Sequence, residues 1–318
     1  MILQTIKQIL CLLCLCCFLQ QSAFSQDDKD KPAYTLFDNT GKQISYGELI
    51  KRLSGYDVIF LGELHNCPIT HWLEFEITRS IYNIHKDQLM LGAEMFESDN
   101  QLIFDEYMQQ KISYDRFEAE ARLWDNYRTD YYPVVFFAKE HHIPFIATNI
   151  PRRYANIVKN KGFEALDSLS EEAKRYIAPL PIDFEYDEAQ STAAFSMMNM
   201  MGGRRAGDNR KLAQAQAIKD ATMGWFIARN IKNKFLHING SYHSNRQGGI
   251  IPYLLRYRPN TSIVTVTSVR QESIRKLDDD HKGSADFYIC VPEDMVNSYC
   301  STICPNSAIL RASTRSTS

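Results

Sequence analysis

The stretch Asp57-Val58-Ile59-Phe60-Leu61-Gly62-Glu63-Leu64-His65 decides how the rest of the chain reads. From Val58 to Leu61 every side chain is apolar, so the segment has no solvent face, and it then breaks abruptly into glycine and polar residues. An unbroken apolar run of this length suits a strand of a parallel sheet covered on both sides by helices. Three more runs have the same character: Leu89-Met90-Leu91-Gly92-Ala93-Glu94, Pro144-Phe145-Ile146-Ala147-Thr148 and Lys234-Phe235-Leu236-His237-Ile238. Two later ones, Thr261-Ser262-Ile263-Val264-Thr265-Val266 and Phe287-Tyr288-Ile289-Cys290-Val291, extend the sheet. Helical patterns occupy 70–84, 100–110, 133–142 and 209–231. The alternation predicts an α/β fold, a mostly parallel β-sheet flanked by helices on both faces and joined by right-handed crossovers. The segment from about 162 to 207 lacks a strand, contains Pro179 and Pro181, and reads as a helical insertion or lid.

At 318 residues with 44% hydrophobic and 23% charged content, the chain is long and apolar enough to bury a full core. A net charge of −2 supplies no long-range field for nucleic acid or an anionic membrane surface, which argues against nucleic acid as a partner. The N-terminus departs from the globular pattern. Lys7 precedes an apolar run over 9–19, followed by Ser22-Ala23-Phe24-Ser25. This is the layout of a secretory signal peptide over 1–25, cleaved before Gln26, because the run is well short of the roughly 20 apolar residues that span a bilayer. Export, to the periplasm or the cell surface, is therefore expected. Cys11, Cys14, Cys16 and Cys17 lie in the run, but without a small residue directly before the cysteine lipidation is the lesser expectation. A polar segment over 26–45 leads into the main domain, 46–298, and a Ser/Thr-rich tail follows over 299–318. Of the cysteines left after cleavage (Cys67, Cys290, Cys300 and Cys304), the last three lack a fourth ligand at zinc spacing, so a disulfide among them is favoured over a metal.

In open parallel sheets, ligands collect at the carboxyl ends of the strands. That rule selects Glu63 and His65, then Glu94 and Glu97, then Asn149, Arg152 and Arg153, and finally His243. The segments Gly62-Glu63-Leu64-His65 and Gly240-Ser241-Tyr242-His243 share a GxxH pattern. Glycine allows close backbone approach, while carboxylate and imidazole supply donors for a divalent transition metal or act as a general acid/base pair. Glu63, His65, Glu94 and His243 form the candidate metal set, and Glu63, His65 and His243 the candidate catalytic set. Either histidine alone is compatible with an ordinary polar role. Burying all four groups in one place is costly unless they serve one another or a ligand.

His71, six residues after His65, can face the same cleft from the helix, and Gln216 with Asp220 share a helix face. The cluster Trp124-Asp125-Asn126-Tyr127 with Tyr131-Tyr132-Pro133 offers rings to stack on a flat ligand or pack into the core. A phenolate from Tyr127, Tyr131 or Tyr132 can ligate haem iron. Met197, Met198, Met200 and Met201, with Arg204 and Arg205, can cover a porphyrin and meet its carboxylates.

These pieces, in this order from about 57 to 255, resemble the ChaN-like haem-binding uptake proteins of the Tiki/TraB and erythromycin esterase-like superfamily. The matching segments are Leu61-Gly62-Glu63-Leu64-His65 with His71, Gly92-Ala93-Glu94-Met95-Phe96, Trp124-Asp125-Asn126-Tyr127 with Tyr132-Pro133, and Ile143-Pro144 through Asn149-Ile150-Pro151-Arg152. They continue in Gln216 with Asp220 and in Gly240-Ser241-Tyr242-His243 running into Gly248-Gly249-Ile250-Ile251-Pro252. The resemblance implies an α/β domain outside the cytoplasm, often lipid-anchored, that binds haem, sometimes between two protomers, in iron acquisition. It also implies that Glu63, His65 and His243 match positions that the superfamily's hydrolases use for metal binding or catalysis. Two functions follow: a haem-binding uptake protein, forming a homodimer and served by an outer-membrane uptake system, or a metal-dependent esterase or peptidase.

Overall fold

The computed structural model describes residues 31–186 and 209–299. The chain divides into two compact units at Ala33, and the sheet and its helices belong to the second, Tyr34–Ser318. Seven strands form one sheet in the order β1-β7-β6-β2-β5-β3-β4: β1 (Thr35–Asp38), β2 (Val58–Glu63), β3 (Leu89–Glu97), β4 (Phe145–Asn149), β5 (Lys234–Gly240), β6 (Ile263–Gln271) and β7 (Phe287–Pro292). Every pairing is parallel except that of β1 with β7. The fold is the α/β class that the apolar runs predict.

Alternation along the central strands assigns each residue to a face. Ile59 and Leu61 of β2, Leu91 and Ala93 of β3, and Leu236 and Ile238 of β5 share one core. It is completed by α1 (Tyr46–Leu53), α2 (Pro68–His85), α3 (Gln101–Met108), α4 (Tyr114–Glu120) and α5 (Tyr132–Glu140). Val58, Phe60, Met90 and Phe235 point to the opposite face. Further along the chain come α6 (Arg152–Lys161), the single-turn α7 (Glu171–Lys174), α8 (Asn209–Asn230) and α9 (Ile250–Tyr257). Met223 and Ile227 of α8 and Ile250, Ile251 and Leu254 of α9 cover that second face. A strand covered on both sides buries both parities, which is why these runs show no period in the sequence.

Two expectations change. Residues 35–38, placed by the sequence in a polar leading segment, form β1, because Leu36 and Phe37 are buried against the β7 edge and interrupt the polar composition. Within 162–207, expected as a helical insertion or lid, the described residues carry only the 3-10 turn Phe163–Leu166 and α7. Leu166 and Ile177 are buried with Ile150, Val158 and Ile218, so the described part of this segment packs against α6 and α8 in a small apolar cluster of its own. Cys67 and Cys290 are buried and free; burial pushes the Cys290 thiol up to about 12, which favours the inert protonated form. Cys300 and Cys304 lie outside the described residues, as do residues 1–25, where a signal peptide is expected, the tail from 300 onward, and the Met197–Met201 and Arg204–Arg205 positions. No helix among the described residues is long and apolar enough to cross a membrane.

Candidate functional site

The strand parity that builds the two cores also separates the polar residues at the carboxyl end of the sheet. Glu63 closes β2 two residues after Leu61 and so turns to the α2 face. Its Oε1 accepts hydrogen bonds from His65 Nδ1 at 2.5 Å and from the Tyr131 hydroxyl at 2.8 Å. Pro68 at the first position of α2 starts that helix directly after the loop, where its missing N–H costs nothing. The helix thereby carries His71 and Glu74, one turn apart, under Glu63. His71 Nδ1 lies 3.0 Å from Glu74 Oε2 and 3.6 Å from Glu63 Oε2. Its Nε2 donates to the His65 carbonyl at 3.1 Å and lies 3.4 Å from Asp130 Oδ2. Asp130 and Tyr131 reach the cluster from a π-helical turn, Tyr127–Tyr131, a local distortion common at functional sites. Asn126, just before it, donates to both Asp130 and the His65 carbonyl.

On the other face, Glu94 follows Ala93 and points towards α8. Its Oε2 accepts the Gly240 N–H at 2.8 Å, and its Oε1 is 3.3 Å from His243 Nε2. His243 Nδ1 donates to Asp220 Oδ1 of α8 at 2.5 Å. This imidazole, buried in the protein, is therefore held between two carboxylates. Burial works against its charge, but Glu94 and Asp220 outweigh burial and hold its pKa at about 10. Burial would raise the Glu94 carboxyl, yet the His243 charge and hydrogen bond bring it well below the usual carboxylate range. Burial likewise opposes the charge on His71, and Glu74, Glu63 and Asp130 raise it to about 10. Glu74 is pushed well above its usual range by burial and by the Glu63 charge. For Glu63 burial is again the largest influence, but the hydrogen bond and charge of His65 lower its pKa overall.

His65 connects the two halves. Its ring lies edge-on to Trp124 at 5.1 Å and against Gly240, where an added Cβ would sit 2.7 Å from Nε2. Its side chain is 39% exposed, and with Nδ1 bound to Glu63, Nε2 hydrogen-bonds to no described residue. Burial pulls its pKa down, but the Glu63 hydrogen bond and charge raise it overall. By contrast, both nitrogens of His71, His237 and His243 are engaged by neighbouring groups. Gly240→Ala is expected to drive the imidazole out of this position, so that in NMR the His65 ring resonances and their pH dependence shift while the His243 resonances stay put.

The fold thus gathers Glu63, His65, Glu94 and His243 at one end of the sheet, but not as a single metal cage. His243 has no free nitrogen, and Glu94 belongs to its clamp. Among the described residues, one group of three offers donor atoms all within 4.8 Å of one another: Glu63, His71 and Glu74. Glu97 pairs instead with Arg122 at 2.9 Å and lies 3.9 Å from Arg152, while Arg153 meets Asp99, so the ends of β3 and β4 form a separate ionic cluster. Asn149 donates to the Glu94 carbonyl.

The tyrosine expectation needs correction. Tyr127 and Tyr131 are buried, and burial raises both phenols far above their ordinary value. Tyr131 spends its proton on Glu63, and Tyr132 packs against Tyr114 and Phe136. Neither Tyr127 nor Tyr131 presents a phenolate to an incoming ligand. The tyrosine exposed near the clamp is Tyr242, beside His243. Glu74 and Asp130 are the site residues that sequence reasoning missed. The His71-x-x-Glu74 spacing on one helix face was a usable signal for the first, whereas nothing local marks Asp130.

A family model described as "Haem-binding uptake, Tiki superfamily, ChaN" matches residues 49–254. The chain belongs to that family. Among solved structures, ChaN of Campylobacter jejuni, reported for cofacial haem binding, superposes with a TM-score of 0.63 at 20% identity, covering 82% of this chain and 97% of that one. The type III effector HopBA1 has a TM-score of 0.43 at 12% identity, covering 77% and 92% of the two chains. The erythromycin esterase EreC has a TM-score of 0.43 at 12% identity, covering 81% and 83%. No curated protein matches. The matched residues run from α1 to α9 and so enclose both carboxylate–histidine clusters.

Proposed function

We propose that this chain is an exported haem-binding protein of a haem uptake system, and that haem sits at the carboxyl ends of β2 and β5 with His65 as its iron ligand. Membership of the family supports haem as the ligand. The observation that carries the assignment to this place is the state of His65, the one imidazole of the cluster that is partly exposed and has an open nitrogen. Glu63 fixes the tautomer by accepting the Nδ1 proton, which aims the Nε2 lone pair outward, and Trp124 and Tyr242 offer ring surface nearby. Haem held here would supply an iron centre, and His65 Nε2 would be the nitrogen that meets it. The cofacial haem of Campylobacter jejuni ChaN favours extending the reading to a homodimer that shares haem, loaded by an outer-membrane system.

Haem titration of the mature protein is expected to give a saturating Soret shift. His65→Ala should move the band and weaken binding by about tenfold or more, equivalent to ~1.4 kcal/mol. Tyr127→Phe should leave the spectrum unchanged. A spectrum identical in wild type and His65→Ala would remove His65 from the iron, and no spectral change in wild type would end the haem reading.

The Glu63–His65 pair also favours a second reading, a hydrolase. A carboxylate behind an imidazole with an open Nε2 is the arrangement of a general base. Here Glu63 holds the ring, His65 takes the proton from the attacking water, and His243 contributes a fixed positive charge. Ester or peptide hydrolysis that survives unchanged in Glu63→Ala, with the fold intact, would sink it.

A further inference from the structure

We propose that Glu63, His71 and Glu74 form a buried site for a first-row divalent transition ion beneath His65, distinct from the clamp around His243. This inference does not depend on haem binding or hydrolysis.

The three side chains are each at most 5% exposed, and one donor atom from each falls within a 4.8 Å group. Two observations point to a ligand. The first is that Glu63 Oε2 and Glu74 Oε1 are both buried without a hydrogen-bond partner. An orphaned carboxylate oxygen in the interior is costly, and two of them side by side call for a common partner, either a proton shared between the Glu63 and Glu74 carboxyls or a cation. The second is the orientation of His71. Its Nε2 proton is fixed by the His65 carbonyl and by Asp130, so Nδ1 faces the two carboxylates. A carbonyl or carboxylate holding the far nitrogen is the support that metal-binding histidines usually have.

A proton on His71 Nδ1 would serve Glu74 Oε2 at 3.0 Å but would leave both orphaned oxygens as they are. A divalent cation would draw on Nδ1, Glu63 Oε2 and the Glu74 carboxylate together. It would take the place of the protons that His71 and Glu74 otherwise hold against the Glu63 carboxylate. One imidazole with two carboxylates suits zinc, manganese or iron(II) rather than calcium, and leaves further coordination positions for water. Glu63 would then bridge, with Oε2 on the ion and Oε1 on His65 and Tyr131. The ion would anchor the residue that orients His65, while Asp130 acts as a positioning residue for His71.

The test is metal content of the full mature chain after unfolding and refolding with Zn(II) or Mn(II), followed by gel filtration and elemental analysis. Stoichiometric metal is expected in wild type and in His243→Gln, with loss in Glu74→Gln. Asp130→Asn should weaken binding by about 10–100-fold. Refolding with Co(II) gives a measurement on wild type that does not depend on whether a variant folds: visible d–d bands are expected, and they should disappear on competition with Zn(II). Metal-free wild type without Co(II) bands would mean that a proton fills the cluster and would overturn the proposal. Metal retained in folded Glu74→Gln, or lost in His243→Gln, would overturn it as well.

Discussion

Asp220→Ala is expected to lower the unfolding free energy by about 3–5 kcal/mol, the usual cost of stripping one partner from a buried ion pair. Asp220 lies inside α8, where its Oδ1 takes the Nδ1 proton of His243 at 2.5 Å, and no solvent can replace it. The remaining partner, Glu94 at 3.3 Å, already accepts the Gly240 N–H and cannot serve both ring nitrogens. The loss should therefore appear as a lower urea midpoint with little change in slope. His243→Leu in the Asp220→Ala background should cost less than it does alone, since the Asp220 bond is already gone, although it leaves the Glu94 carboxylate without its imidazole. A single-variant cost below about 1 kcal/mol, or strict additivity in the double variant, would show that the clamp contributes little.

The same clamp makes stability depend on pH in a stated direction. His243 titrates at about 10 in the folded chain against its ordinary 6.5, so the native state binds a proton that the unfolded state releases. Its contribution is complete below about 6.5 and is lost as the pH rises through about 10. Across that window this one group removes up to ~1.4 kcal/mol per pH unit. Glu94 acts at the other end: its carboxyl is held below the ordinary 4.5, so its contribution is present above that value and fades as the pH falls. Asp220, whose pKa is raised by burial, partly offsets Glu94 on the acid side. Melting temperature should therefore peak between about pH 4.5 and 6.5 and decline towards pH 10. His243→Gln should make that decline shallower, leaving the part contributed by His71, which is also raised to about 10. Parallel profiles for wild type and His243→Gln would refute the assignment of the charge to this residue.

Both results would bear on function, because the clamp supports Gly240, and Gly240 is the surface against which His65 rests. Whether His65 meets haem iron or a substrate water, its reach is set by Glu63 on one side and by this glycine on the other. A residue larger than glycine at 240 would occupy the space of Nε2, which gives the first glycine of the second GxxH segment a steric role.

The sequence by itself determined the sheet. Continuous apolar runs broken by polar residues fix the parallel strands, and the rule that ligands gather at their carboxyl ends picks out Glu63, His65, Glu94 and His243. These signals are local, since each needs only the residues of one strand and the turn that follows it. β1 escaped because four residues are too few to show a pattern beside a polar leader. What only the tertiary structure decided is which of those residues face one another. Glu63 and Glu94 look equivalent in sequence, yet the side-chain alternation of a strand sends one to α2 and the other to α8. Two carboxylate–histidine clusters result in place of one cage. Of the partners that complete them, Glu74 lies on the helix that follows β2, while Asp130 and Asp220 come from elements remote from the strand ends they serve. The same packing buries Tyr127 and Tyr131, which sequence composition alone left as open as any other aromatic pair. Burial and long-range contact are properties of packed elements, and no single segment of the chain contains them.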